Sequence, residues 1–431
     1  MKKSIIILSI LIFIGTCKAF TQNDKSISDF YEFANEEWLD SIVLPDNYVV
    51  INQAGILWEE IEKKSIEILE SNSTYGLDEN HVYTLNQLRN FYKSTSEILD
   101  TERKRLHEVQ KHFPMMLGII FSKITLTPQK VERIEEIIKY LTLAYRNKIN
   151  NSNKIGNYYK ELFIAKLDNL KIEIGAPSLS DFPKIPTLSD KSYEDNLQRA
   201  KSYQFDMEKY QTDWHTPPYE TDCFYFIYSN KIKIYAGILL DLNNNEDDVY
   251  LFATLGRTIA HEMTHAFDIV GKNYDENGKR ITVLKKLFSG SLFSQNRFKD
   301  MYQNLVHQYN QYSINDSLFV DGEKTLQENI ADLGGVEVSI LALKMFLKEK
   351  NRNISENIIN ESLRLYFLYY ARFWREKATD EFKIASVKRL HTPQKYRAIG
   401  IIYNQNELYN LYDIDHDSEY YIPEEKRITL W

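Results

Sequence analysis

Cysteine is nearly absent from this chain: 431 residues carry two, Cys17 and Cys223. A disulfide framework is thereby excluded as the source of stability, which has to come from a buried core. Strong positive charge is also missing. There are 53 Lys and Arg against 61 Asp and Glu, a net charge of -8, and no basic patch stands out; this argues against nucleic acid as a partner. No apolar run is long enough to cross a bilayer. There is no internal repeat and no long low-complexity tract, so a solenoid or fibrous architecture is excluded. What is present describes a globular protein: 43% hydrophobic and 26% charged residues, in a length that fits two or three domains.

The first residues read as a targeting segment. Lys2 and Lys3 precede the apolar run from Ile5 to Ile14, which has the length of a signal-peptide core and not of a membrane span. Cys17-Lys18-Ala19 offers a small residue at a cleavage boundary, so residues 1–19 are expected to be a signal peptide and the mature chain to start near Phe20. Ile14-Gly15-Thr16-Cys17 offers an alternative, a lipobox-like site at which a lipid on Cys17 would attach the chain to a membrane. Either route exports the protein, to the periplasm, the cell exterior or the envelope.

Residues 20–205 are expected to form a mainly helical region and residues 206–431 a second domain. Apolar residues recur at helical spacing over Trp58 to Glu70, Tyr83 to Leu99, Thr127 to Tyr145 and Asn157 to Ile174. Breaks fall at Gly175-Ala176-Pro177 and over Pro183 to Pro186. Cys223 to Tyr228 and Lys231 to Tyr235 read as short strands. A helix is expected from about Leu326 to Lys350, and the last 80 residues read as helical to about Lys377 and irregular beyond it.

The most informative run is His261-Glu262-Met263-Thr264-His265. Two histidines four apart on a helix put both imidazoles on one face, where they can clamp one metal ion. The glutamate between them can reach a water on the metal and take its proton. Leu251, Leu255, Ile259, Met263 and Phe267 recur every four residues, an apolar stripe roughly opposite the histidines. A catalytic zinc takes three protein ligands and keeps one position open. The candidate third ligand is Glu328, in Glu328-Asn329-Ile330-Ala331-Asp332, with Asp332 one turn on and placed to accept the far N–H of a zinc histidine. A competing reading makes Thr325-Leu326-Gln327-Glu328 a helix capping box, with Glu328 bonded only to backbone.

At this point the chain resembles the neprilysin and endothelin-converting enzyme family of zinc endopeptidases. Asp29-Phe30-Tyr31-Glu32-Phe33-Ala34-Asn35 with Trp38 and Pro45, Leu88-Arg89-Asn90-Phe91-Tyr92, Ile174-Gly175-Ala176-Pro177, Ala236-Gly237-Ile238-Leu239, both metal segments, His391-Thr392-Pro393 with Arg397, and the terminal Trp431 all look like blocks of that family. The resemblance implies a mainly α (α+β) fold: a thermolysin-like catalytic domain with a small mixed sheet, plus a reduced N-terminal helical lid. It implies one zinc per chain on His261, His265 and Glu328, and Glu262 as general base. Asp332 would orient His261, and Asp268 would do the same for His265. His391 would donate to the oxyanion and Arg397 would hold a substrate carbonyl. Asp222 and Cys223 would begin the substrate-binding strand. The chain departs from the family where Asp222-Cys223 replaces Asn-Ala, where Tyr235 replaces a proline, and where Arg389 replaces an aspartate. The family's disulfide cysteines are absent. Val50 and Trp58 stand where some members use arginines to hold a substrate carboxylate.

The sequence is therefore read as an exported zinc metalloendopeptidase acting on peptides or loosely folded polypeptides. The rival readings are an aminopeptidase on the same catalytic fold, with Asp222 as anchor for the substrate amine, and a peptide-binding protein with impaired catalysis. Mass spectrometry of protein from its native host should find an N-terminus at Phe20 or a lipidated Cys17; cytoplasmic protein with an intact Met1 would contradict export.

Overall fold

The computed structural model describes residues 26–210, 212–240, 242, 247–283 and 291–431. The expected signal peptide and the Cys17 lipid site lie outside the described residues. In chain order the helices are α1 (Phe30–Ser41), α2 (Gln53–Glu70), α3 (Glu79–Ser94), α4 (Glu102–His112), α5 (Pro114–Thr125), α6 (Pro128–Asn151), α7 (Asn157–Asp168) and α8 (Tyr193–Met207). They continue with α9 (Asp248–Leu251), α10 (Arg257–Thr264), α11 (Ser291–Tyr309), α12 (Leu326–Lys350), α13 (Glu356–Phe373), α14 (Asp380–Ser386), α15 (Gln394–Ile402) and α16 (Asn406–Leu411). The strands are β1 (Val50–Asn52), β2 (Lys171–Gly175), β3 (Cys223–Phe226), β4 (Lys231–Tyr235), β5 (Ser313–Asn315), β6 (Leu318–Phe319) and β7 (Glu376–Ala378). The fold is mainly helical with small sheets, as the resemblance implied.

Two hydrophobic cores organise these elements. The larger gathers α1, α6 and α7 with the three-stranded sheet and the helices that follow it. The smaller gathers α2 to α5 and α8, and meets the rest through Tyr219 and Ala236. Residues 20–205 thus contribute to both cores. α1 is seated on α13, where the Asn35 amide donates to Ala371 O, and on the end of α15, where the Phe30 N–H donates to the Tyr403 hydroxyl. A second link is the short antiparallel pairing of β1 with β7, which leads directly into α2.

The main sheet has the order β2-β4-β3, with β2 parallel and β3 antiparallel to β4. Among the described residues β3 pairs along one edge only, with Cys223 opposite Ile234. Sequence periodicity extended α7 to Ile174, and the structure corrects this. The helix stops at Asp168, and Lys171–Gly175 is a strand in which Ile172 and Ile174 alternate with charged residues. A helix-like apolar spacing before Asn169 passes into a period-two pattern after it, and Gly175 closes the strand at φ 92°, a conformation open to glycine. The irregular tail expected beyond Lys377 is also corrected: α14, α15 and α16 lie there. The strand expected to reach Tyr228 ends at Phe226, before the turn at Asn230.

The histidine segment runs as α9, a π-turn over Phe252–Gly256, and α10. Every member of the predicted stripe, Leu251, Leu255, Ile259, Met263 and Phe267, is buried. The Tyr145 hydroxyl on α6 lies 2.6 Å from both Ala260 O and Thr264 Oγ1, supporting α10 from behind. α12 crosses α10 at Gly334 and Gly335. A Cβ on Gly335 would lie 3.0 Å from Arg257 O and from His261 N, so backbone meets backbone there. Gly335→Val should therefore force α10 and α12 apart at a cost of about 1–3 kcal/mol, lowering Tm and weakening metal binding together. Unchanged Tm and zinc affinity would show that the crossing tolerates the extra volume.

Candidate active site

His261 lies in α10 and His265 is the residue that closes it, so the i, i+4 spacing survives to the helix end. Their Nε2 atoms are 3.2 Å apart. Glu328, in the first turn of α12, brings Oε2 to 3.2 Å from His261 Nε2 and 3.6 Å from His265 Nε2. A tetrahedral ion about 2.05 Å from each ligand needs ligand–ligand edges of about 3.3 Å. The three separations bracket that value.

The opposite faces of both imidazoles are held by carboxylates. Asp332 Oδ1 lies 2.8 Å from His261 Nδ1, and Asp268 Oδ2 lies 2.8 Å from His265 Nδ1. A carboxylate at Nδ1 keeps the proton there and turns a lone pair outward at Nε2. Two imidazole lone pairs and a carboxylate oxygen facing one another at these distances repel, and a cation between them removes the repulsion. The donor set, two imidazoles and one carboxylate, suits zinc. The charges agree. Burial alone would lower the proton affinity of His265, but its hydrogen bonds to Asp268 and Glu328 raise it well above the usual value. His261 is likewise raised, with Asp332 outweighing burial. Burial pushes the Glu328 carboxyl up, and its contacts with His261, His265 and His391 pull it far below the usual range.

The capping-box reading is excluded. Thr325 makes no side-chain cap; its hydroxyl donates to Asp321 O, and Glu328 points at the histidines. Glu262 is buried on the cleft side, with Oε2 accepting the Tyr225 N–H of β3 at 2.8 Å. Burial raises its pKa above the usual carboxylate value. His391 Nε2 lies 3.0 Å from Glu328 Oε2 on a half-exposed ring. Arg397 forks onto Asp332, with Nε and Nη2 each 2.7 Å from a carboxylate oxygen. Asp222 is half-buried at the head of β3, where burial raises its carboxyl pKa. Cys223 is buried, and burial pushes its thiol well above the usual value, leaving it unreactive. Trp58 packs edge-on against Tyr219, and Val50 sits in β1.

Some of the supporting residues were not singled out from sequence. Gln327 donates to Asp268 Oδ2 at 2.9 Å, and the backbone N–H groups of Val270 and Gly271 donate to Asp268 Oδ1 at 2.7 Å. Asn329 accepts from the Thr392 hydroxyl at 2.8 Å and so ties the His391 loop to α12. Asn329 and Thr392 lie inside motifs already noted, which was the available signal. Gln327 lay inside the Thr325–Glu328 run, where it was read only as part of a capping box.

A helix-rich fold in which HExxH and a distant glutamate converge on one point is an arrangement that zinc metallopeptidases use. Residues 222–428 match the sequence model of peptidase family M13. Over that stretch, a little under half of its length, the chain resembles the neprilysin-type zinc metallopeptidases. It is 23% identical over 426 residues to a neutral endopeptidase of Lactococcus lactis, covering 95% of this chain and 62% of that protein. It is 28% identical over 314 residues to an endothelin-converting enzyme homolog of Locusta migratoria, covering 68% of this chain and 42% of that one. The chain thus spans less than two thirds of the length of these relatives. In fold it is similar to the zinc metalloprotease ZMP1 of Mycobacterium tuberculosis in its open state, with TM-score 0.64 and 23% identity over 77% of this chain and 53% of that one. It is also similar to PEPO from Lactobacillus rhamnosis, with TM-score 0.62 and 19% identity over 85% of this chain and 56% of that one.

Metal analysis of the purified protein should find about one zinc per chain. Glu328→Ala should lose most of it, and Asp332→Asn should weaken zinc affinity about 10–100-fold. Full zinc occupancy in the Glu328→Ala protein would show that the third ligand lies elsewhere.

Proposed function

We propose that this chain is an exported, zinc-dependent endopeptidase that cuts peptides or loosely folded polypeptides internally. The observation that carries the reading is the convergence of His261, His265 and Glu328 beside Glu262 and the free edge of β3. Zinc, when bound, polarises the scissile carbonyl and acidifies water. The protein's own groups do the rest. An extended peptide lies along the open edge of β3, beginning at Asp222 and Cys223, and pairs with its backbone. Glu262, whose proton affinity burial raises toward that of a useful base, takes a proton from the attacking water and passes it to the leaving amine. His391 donates a hydrogen bond to the developing oxyanion. Arg397 holds Asp332, and through it His261, and any further donation goes to a substrate carbonyl.

Residues 20–205 supply the reduced lid, and α2 to α5 with α8 are the part of it that forms its own core. A cleft covered by so few helices admits longer chains than a closed chamber does, at some loss of water exclusion. No helix among the described residues is long and apolar enough to cross a membrane.

Glu262→Gln should keep its zinc and its Tm and lose about 10²–10⁴-fold in turnover of a quenched peptide. Near-normal turnover would overturn the general-base role. The wild type should cut the peptide equally well with a free or an acetylated N-terminus. Loss of cutting on acetylation would favour the aminopeptidase reading, and zinc binding with no cutting of either would favour a peptide-binding protein.

A further inference from the structure

One buried charge is left unused by this mechanism. Arg257 lies on α10 one turn before His261, about 6 Å along the helix axis. It is 4% exposed. Its guanidinium carbon sits 4.3 Å from the centre of the Phe373 ring and 4.2 Å from that of Trp374. The guanidinium carbon of Arg397 sits 4.1 Å from the centre of the same Trp374 ring. Arg257 and Arg397 thus both stack on Trp374.

The two arginines differ in what neutralises them. Arg397 has both oxygens of Asp332, which also holds His261. Arg257 makes no ion pair and no side-chain hydrogen bond with any described residue, and its buried Nε has no acceptor. Trp374 Nε1 is a second buried donor without an acceptor at the same wall. Burial draws the Arg257 pKa down to about 10, which leaves it charged at neutral pH. A buried cation held only by aromatic rings and the field of Asp332, with no carboxylate hydrogen-bonded to it, is costly to the fold, and a buried donor without an acceptor is rare. A planar fork between aromatic walls matches a carboxylate in shape and charge.

We propose that Arg257 is a substrate-recognition residue that binds a carboxylate carried within one or two residues of the scissile bond, so that the enzyme prefers acidic sequences. This rests on the endopeptidase reading above. It also gives the cleft a carboxylate-binding cation, which Val50 and Trp58 do not supply.

The test compares quenched peptides that differ at one position, scanned two residues to either side of the cut, with Glu, Gln or Leu at that position. A further pair places a C-terminal acid or amide next to the cut. Wild-type enzyme should favour Glu over Gln at one position by about 10–100-fold in kcat/KM, the range of a charge-assisted hydrogen bond. If the carboxylate recognised is a chain terminus, the acid should instead beat the amide by the same margin. Arg257→Met should bring that ratio close to one and raise the relative rate on Leu. Arg257→Lys should keep the sign of the preference at a smaller size, and it decides the matter if the Met variant does not fold. Cutting of all peptides with no acid preference overturns the proposal and leaves the endopeptidase reading intact. Cutting of none, by zinc-loaded wild type, removes the reading on which it rests.

Discussion

Three atoms that repel one another, His261 Nε2, His265 Nε2 and Glu328 Oε2, are held within 3.6 Å, and the surrounding structure is arranged to keep them there. Neutral imidazoles turned by carboxylates present lone pairs, and a carboxylate adds full negative charge. Such a cluster is stable only with a cation at its centre or with protons on the imidazoles, and the raised proton affinities of both histidines express that demand. Zinc binding therefore displaces protons, and affinity should fall as the solution becomes more acidic.

The rest of the fold can be followed outward from that cluster. α10 and α12 can bring their ligands together because Gly335 lets the two backbones meet and Gly334 leaves room for the Thr264 side chain. Asp332 and Asp268 fix the imidazoles and are themselves fixed, one by Arg397 and the other by Gln327 and two backbone N–H groups. Tyr145 from α6 braces α10. This explains why α6 and α7, far upstream in sequence, share a core with the metal helices, while α2 to α5 form a separate one. β7, which pairs with the strand leading into α2, begins two residues after Trp374, so the stacked arginines lie near the link between the two cores.

Much of the site was legible in the sequence because its geometry is local. His261 and His265 are four apart, as are Glu328 and Asp332, and the helix period alone puts each pair on one face. The bounds of α12, Leu326 to Lys350, were also read correctly. Features that depend on distant partners were hidden. β2 was taken as the end of a helix because its partner, β4, lies some 60 residues on and nothing local announces the pairing. The bidentate hold of Arg397 on Asp332 was not foreseen, and neither was Arg257, whose interest lies in the partner it lacks. The roles of His391 and Arg397 came from family resemblance and not from spacing.

The central claim is the identity of the zinc shell, and X-ray absorption at the zinc edge on the holoprotein tests it most directly. His391 Nε2 lies 3.0 Å from Glu328 Oε2, so a shell that includes a third imidazole is the alternative the measurement separates. The structure predicts two imidazoles and oxygen ligands at about 2.0–2.2 Å with no sulfur. A third imidazole, or sulfur at about 2.3 Å, would contradict it.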